Sequence, residues 1–423
     1  MKNRGAIEGE CGRAVRAPTI KKREEMKKII IRTLVVLIAL FIGLILFLRF
    51  WNFDIPEQDF SDMLPTRRNI PKESNGFYVY RQAYAKITDV EKLEELYKNH
   101  ESSKEEIEAF LAENKEALAL IDKALTMDFE EPDIKLLSDQ MPYVREWDSL
   151  LSILILKQNP QMSFLFLNHL SSHTDETVSF LVLHNLLKKY LTDQVFILTQ
   201  DEAKKLTQNF KKSFKEGLQG NFSIYHDILK SLSSGKTSYQ EVFNKKDRYD
   251  YELIKIALFL QVNRTSKISY DYHKEMMASA DKNFMESSFN LKFYSGYIHQ
   301  LGYKELYNYF GRDILKKVFI NPRFLVIKYF ETLSYIKLRA CVGALRLYQK
   351  DQGKPPESLN VLVPKYLAEI PVDPFDGEPL RYDAKRGVIY SVGRNRVDDG
   401  GQIEAGKAFY EDRDGDIVFQ FLK

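Results

Sequence analysis

Cysteine is nearly absent: two occur in 423 residues, alongside two tryptophans and seven histidines. So few thiols exclude a disulfide scaffold and a zinc site built from cysteine. Metalloprotease HExxH, serine-hydrolase GxSxG, the phosphate-binding Walker loop and the dinucleotide fingerprint are all missing. Basic charge is confined to one end. Residues 1–50 carry a net +7 and the remainder a net −4, which excludes a nucleic-acid-binding body. Helix breakers are scarce between residues 51 and 320, with 7 Gly and 6 Pro, whereas residues 321–423 hold 9 Gly and 7 Pro. That shift marks a boundary and a change of structural class. What is abundant is apolar and aromatic mass: 44% hydrophobic residues, with 28 Phe and 24 Tyr. Such a chain can bury large cores.

One long apolar run stands out. Ile29 to Leu48 contains a single charge, Arg32. Twenty helical residues span about 30 Å, the thickness of a bilayer's hydrocarbon core. Lys21, Lys22, Arg23, Lys27 and Lys28 precede it, and Asp54, Glu57, Asp59 and Asp62 follow. The positive-inside rule then puts residues 1–28 in the cytoplasm, the anchor at 29–50 and the body outside. A cleaved signal peptide is the competing expectation, but FLRFWNFDIPEQ is bulky where a peptidase needs small residues. Met26-Lys27-Lys28 reads as a complete membrane-targeting start, so translation from Met26 is a further expectation.

Residues 51–75, with three Pro, read as a linker, and 76–320 as an irregular bundle of amphipathic helices. Thr88–Glu91, Ser103–Glu106 and Thr199–Glu202 fit the capping box. Ile107, Phe110, Leu111, Leu118, Ile121 and Leu125 fit one apolar helical face, and similar faces run through 143–157, 175–191, 201–216, 250–262 and 283–318. Ser233–Lys236 and Ser334–Lys337 match SxxK without its companion motifs. His169 and His173 are four residues apart, near Asp175 and Glu176. On one continuous helix they would stack, but Ser171, Ser172, Thr174 and Asp175 predict a turn.

Pro322 at a first helical position and Gly353 at a C-terminus bracket a helix of about 45 Å. Cys341 lies on its apolar face and reads as a core residue. Leu380–Tyr382 and Val388–Val392 read as strands joined by a turn at Asp383–Gly387, with a third strand at Ile417–Phe421. The expected fold class is therefore mainly α: a transmembrane helix, a helical bundle, and a small α+β module at 321–423 that carries its own helix and sheet and should fold alone.

The order Tyr348, Gly353, Pro356, Leu359, Leu362, Ile370-Pro371, Asp373-Pro374-Phe375-Asp376-Gly377, Leu380, Tyr382, Tyr390-Ser391-Val392-Gly393, Asp398-Asp399-Gly400-Gly401 and Asp416-Ile417 resembles the globular domain of the type II secretion major pseudopilin. The resemblance covers 322–423, about a quarter of the chain. It implies a helical spine on a small antiparallel sheet, a bacterial envelope setting and a calcium ion in the loop before the last strand. Residues 398–416 carry a net −5, and clustered carboxylates repel unless solvated or bridged by a cation. By position, the resemblance implies Asn395, Asp398, Asp399, Asp412, Asp414 and Asp416 as the calcium ligands. The function expected is a non-enzymatic scaffold on a bacterial inner membrane, bound to the bilayer through 29–50 and to other envelope proteins, with no nucleic acid. The alternative is a membrane-anchored hydrolase using His169, His173 and Asp175 in the helical domain.

Overall fold

The computed structural model describes residues 16–51, 54–65, 68–99, 102–131, 143–171, 177–192, 198–237, 260–287, 311, 314–315, 322–402 and 415–421. The chain is mainly helical with one small antiparallel sheet. Helix α1 runs Arg16–Trp51. Its span Arg23–Phe47 contains an 18-residue window with a mean hydropathy of 3.0, and none of that window is covered by the rest of the chain. It is long and apolar enough to cross a bilayer, and a signal sequence near an N-terminus would pass the same test.

The body is built from α2 (Gly76–Ala85), α3 (Val90–Lys98), α4 (Lys104–Glu113), α5 (Lys115–Ala124), α6 (Tyr143–Leu156), α7 (Pro160–Ser171), α8 (Thr177–Thr192), α9 (Gln200–Ser233) and α10 (Val262–Ser279). Two of the three predicted caps form as read. Ser103 and Thr199 accept from the amides of Glu106 and Glu202, whose carboxylates reach back. At the third the cap sits one residue later. Asp89 accepts from Lys92 N, while Thr88 N is taken by Asn114 Oδ1 at 2.9 Å. Asn114 also divides the face predicted across 107–125. Its side chain is buried and its Nδ2 donates to Phe110 O at 2.9 Å, so α4 ends and α5 starts there. A side-chain amide that bonds the preceding turn competes with helix continuation. The 201–216 face extends to Ser233, and most of the faces at 250–262 and 283–318 lies outside the described residues.

The segment read as a linker is docked along its described length. Glu130 accepts from Arg68 N and Ile70 N at 2.6 and 2.9 Å, and Gly76 N donates to Asp128 O at 2.6 Å. Phe60 and Met63 are buried against Phe222. Three prolines signal irregular backbone, but buried Phe60 and Met63 secure it, each worth roughly 1.5–3 kcal/mol.

Helix α11 (Pro322–Gln352) is the spine of the C-terminal module and ends as predicted, with Gly353 at φ 74° and its N–H bonded to Gln349 O. Strands β1 (Arg381–Asp383), β2 (Val388–Ser391) and β3 (Ile417–Gln420) form an antiparallel sheet in the order β1-β2-β3. Register pairs Tyr382 with Ile389 and Ile389 with Phe419. The module does not have a core to itself. Residues 325–332 of α11 are buried all round, and the helix packs on α8, α9 and α10 as well as on β2 and β3. One continuous apolar cluster runs from Phe77 to Phe421. Cys341 sits within it, and burial pushes its thiol up to about 12, far from a reactive thiolate.

Candidate functional site

The acidic loop leaves β2 through Gly393. Its φ of 64° and the approach of Gly415 O within 2.2 Å of where a Cβ would stand leave room only for glycine. This contact ties the start of the loop to its return. Asp416 closes it: Oδ1 accepts from Asp399 N at 3.3 Å and Oδ2 from Gly401 N at 2.7 Å. Asn395 Nδ2 donates to Asp399 Oδ2 at 3.0 Å. Burial, and then the neighbouring carboxylates of Asp399 and Asp398, raise the Asp416 carboxyl, while the two backbone N–H bonds oppose the rise.

Asn395, Asp399 and Asp416 are thus brought together. Asp398 faces elsewhere, accepting from Tyr390 OH at 3.1 Å and Gly400 N at 2.9 Å, with Arg381 Nε at 4.0 Å. Asp412 and Asp414 lie outside the described residues. Among the described residues no three His, Cys, Asp or Glu side chains converge as a metal centre requires. Asn395 turns its Nδ2 to Asp399 while its Oδ1 accepts from Val397 N at 3.0 Å, so the carboxylates of Asp399 and Asp416 are the oxygens gathered here, and calcium takes six to eight.

Next to the loop, a guanidinium occupies a carboxylate cluster. Arg381 pairs with Asp376 and, through Nη1, with Asp373 Oδ2 at 3.2 Å. Asp373 is fully buried and is the hub of the module. It accepts from Ser391 Oγ at 2.8 Å, Val392 N at 2.9 Å and Phe375 N at 3.0 Å. The conformation of Asp373-Pro-Phe-Asp-Gly is therefore dictated by one side chain satisfying four donors.

No known protein family, curated protein or solved structure matches this chain.

In the helical body, His169 is placed on α7 at the edge of a surface depression of 370 Å³ lined by Leu125, Met127, Asp128, Leu165 and Asn168. Its Nδ1 lies 2.9 Å from Tyr80 OH, and the ring also bonds the backbone of Met127. Neutral imidazole can do both, accepting from the tyrosine and donating to the carbonyl. Burial pushes it down to about 4. Helix α7 ends at Ser171, and His173 and Asp175 lie outside the described residues. Neither SxxK match forms a pair. Ser233 and Ser334 both bond carbonyls of their own helices, and Lys337 donates to Val372 O at 2.7 Å.

Two polar clusters went unforeseen. Between α8 and α11, His184 Nδ1 meets Thr332 Oγ1 at 2.5 Å, its Nε2 lies 3.8 Å from Glu331, and Lys328 pairs with Glu331 at 3.0 Å, all buried. Lys328 and Glu331 both lie on α11, so their pair stabilises that helix, and the contact across to α8 is made by His184 with Thr332 and Glu331. Lys328 and Glu331 inside the apolar run FLVIKYFETL were the available signal. Between α6 and α8, Lys189 Nζ lies 2.8 Å from Asp148 and 2.7 Å from Ser152 Oγ. Burial lowers Lys189, but the Asp148 carboxylate beside it favours the charged form, and a charged ammonium cannot take a proton from serine.

Proposed function

We propose that this chain is a single-pass protein of a bacterial inner membrane, with residues 1–28 in the cytoplasm and the body on the extracytoplasmic side. There it acts as a scaffold that binds other envelope proteins through its helical body and pseudopilin-like module. The observation that carries this reading is the uncovered face of α1: an apolar window at mean hydropathy 3.0, none of it buried by the chain, on a body that is otherwise folded around a continuous core. Exposing that much apolar surface to water is costly, whereas lipid receives it without penalty. The basic residues ahead of the run supply the orientation. His169 supports a scaffold over a hydrolase, because both of its ring nitrogens are engaged within the fold.

Protease added to spheroplasts should digest the body beyond Asn75 and leave 1–50 protected, and crosslinking in intact membranes should then join the body to envelope proteins. Protection of the body from outside protease would overturn the orientation. Calcium binding by the acidic loop belongs to the same proposal, with Asn395, Asp398, Asp399, Asp412, Asp414 and Asp416 as its ligands. At a hundred times its Kd, calcium would stabilise the fold by about 2.7 kcal/mol. Thermal melts with calcium and with chelator should separate accordingly, and superimposable melts at millimolar calcium would reject the site.

A further inference from the structure

Only two residues separate Trp51, the last of α1, from Asp54. Three Cα steps reach at most about 11 Å. The apolar run ends at Leu48, about 4.5 Å earlier along the helix axis. Asp54 therefore lies within about 16 Å of the hydrocarbon edge once α1 is inserted, and the headgroup layer fills about 5–7 Å of that distance.

Asp54 is not at the end of a loose tether. Its Oδ2 and Oδ1 accept from the first amides of α10, Asn263 N at 2.7 Å and Arg264 N at 2.9 Å, and Ile55 O accepts from Asn263 Nδ2 at 2.9 Å. Six residues on, Phe60 is buried with its ring edge-on to Phe222 and His226, at centroid distances of 5.5 Å, and tilted against Tyr270. Asp62 pairs with Lys274 at 2.9 Å and accepts from Tyr270 OH at 2.9 Å, and its carbonyl accepts from Gln219. Glu57 meets Lys230 at 3.4 Å. The contacts begin at the start of α10 and the last turn of α9, at Asp54 and Glu57, and run back along both helices to Gln219 and Lys274 at Asp62. A free chain of the length of 51–75 would instead have a root-mean-square span of about 25–30 Å and let the body tumble.

We infer that residues 54–64 are a strap that holds the start of α10 and the C-terminal end of α9 on the headgroup layer of the bilayer occupied by α1, so that the partner of this end of the body is the lipid surface. The inference rests on the reading of α1 as a membrane span. The surface presented is polar, as a headgroup layer requires: Lys230, Ser233, Ser234 and Lys236 are exposed at the end of α9. The C-terminal module touches α9 at its opposite end, where Ala368 N donates to Gln200 Oε1 at 3.0 Å. Gln200 and Lys230 are about 45 Å apart along the helix. The strap thus leaves the module at the end of α9 remote from the membrane contact, open to protein partners.

The test uses the full chain in lipid nanodiscs, carrying Cys11→Ser, with a donor dye on Lys236→Cys or on Lys365→Cys and acceptor dyes on lipid headgroups; Cys341 is buried. Transfer from position 236 should exceed that from 365 by about twofold or more, given the length of α9 that separates them. In the Asp54→Ala/Phe60→Ala/Asp62→Ala variant that difference should shrink. Equal transfer from the two positions in the unmodified strap, in protein that resists carbonate extraction, overturns the strap while leaving the anchor intact. Protein that carbonate removes from the bilayer overturns the anchored reading and the strap together. A difference that persists unchanged in the triple variant shows that residues 54–64 do not hold the body down, and likewise overturns the inference.

Discussion

Acid should weaken this protein at a pH where its carboxylates are still charged, and His273 is the main reason. It lies on α10 with 1% of its surface exposed, ringed by Phe222, Tyr225 and Tyr272, with its Nδ1 2.7 Å from Ser269 O. Burial pushes it down to about 4, against roughly 6.5 in an unfolded chain. The fold holds it neutral, so its contribution is complete above pH 6.5. It falls as the unfolded chain gains a proton, and is lost once pH passes below about 4. For that pair of values, linkage gives a loss of about 1.8 kcal/mol between pH 7 and pH 5. His169 is shifted the same way, to about 4 by burial, but it is only half-buried, so its share is smaller, about 1 kcal/mol. Urea unfolding of the full chain in detergent should show a drop of about 3 kcal/mol over those two pH units. In His273→Phe, which keeps an aromatic ring in the aromatic pocket, the drop should shrink to about 1 kcal/mol, with a cost at pH 7 of about 1 kcal/mol for the lost Ser269 bond. Equal drops in parent and variant, within roughly 0.5 kcal/mol, would refute the reasoning.

Asp373→Ala should cost about 3–5 kcal/mol, because it strands the amides of Phe375 and Val392 and removes the buried partner of Arg381; thermal melts of the full chain would check it, and a loss below about 1 kcal/mol would contradict the hub. Residues 321–423 alone should be poorly folded and bind hydrophobic dyes, because Leu325, Val326, Tyr329 and Phe330 lose their cover from the body; a sharp cooperative melt from that fragment would show that the sheet suffices.

Local signals survived the passage from sequence to structure, and signals that needed tertiary context did not. Pro322, Gly353 and the capping boxes at Ser103 and Thr199 are decided by backbone chemistry within four residues, and they stand where the sequence places them. The turn between β1 and β2 is of the same kind, since Asp383 Oδ1 accepts from Lys385 N and Arg386 N. The shifted cap at Asp89 depends on Asn114 reaching across to Thr88 N, whereas the break at Asn114 is a local bond to Phe110 O that the periodicity of the apolar face conceals. The composition shift near residue 321 is real, yet it marks a change of element type and not the edge of a core, because periodicity cannot say what covers an apolar face. At the acidic loop, Asn395, Asp399 and Asp416, which the resemblance named, lie together through Asn395 Nδ2 and the Asp399 amide. The resemblance could not assign Asp398 to Tyr390, which requires the twist of β2 to bring that phenol alongside.

Helix α11 has a mechanical consequence. Its thirty-one residues run about 46 Å without a proline after the first position, packed on α8, α9 and α10 and on β2 and β3. A displacement of the sheet would be carried along α11 to the contacts of Thr332 and Glu331 with His184 on α8. Helices slide past one another in discrete steps. Movement of the module and rearrangement of the contact between α8 and α11 are therefore coupled.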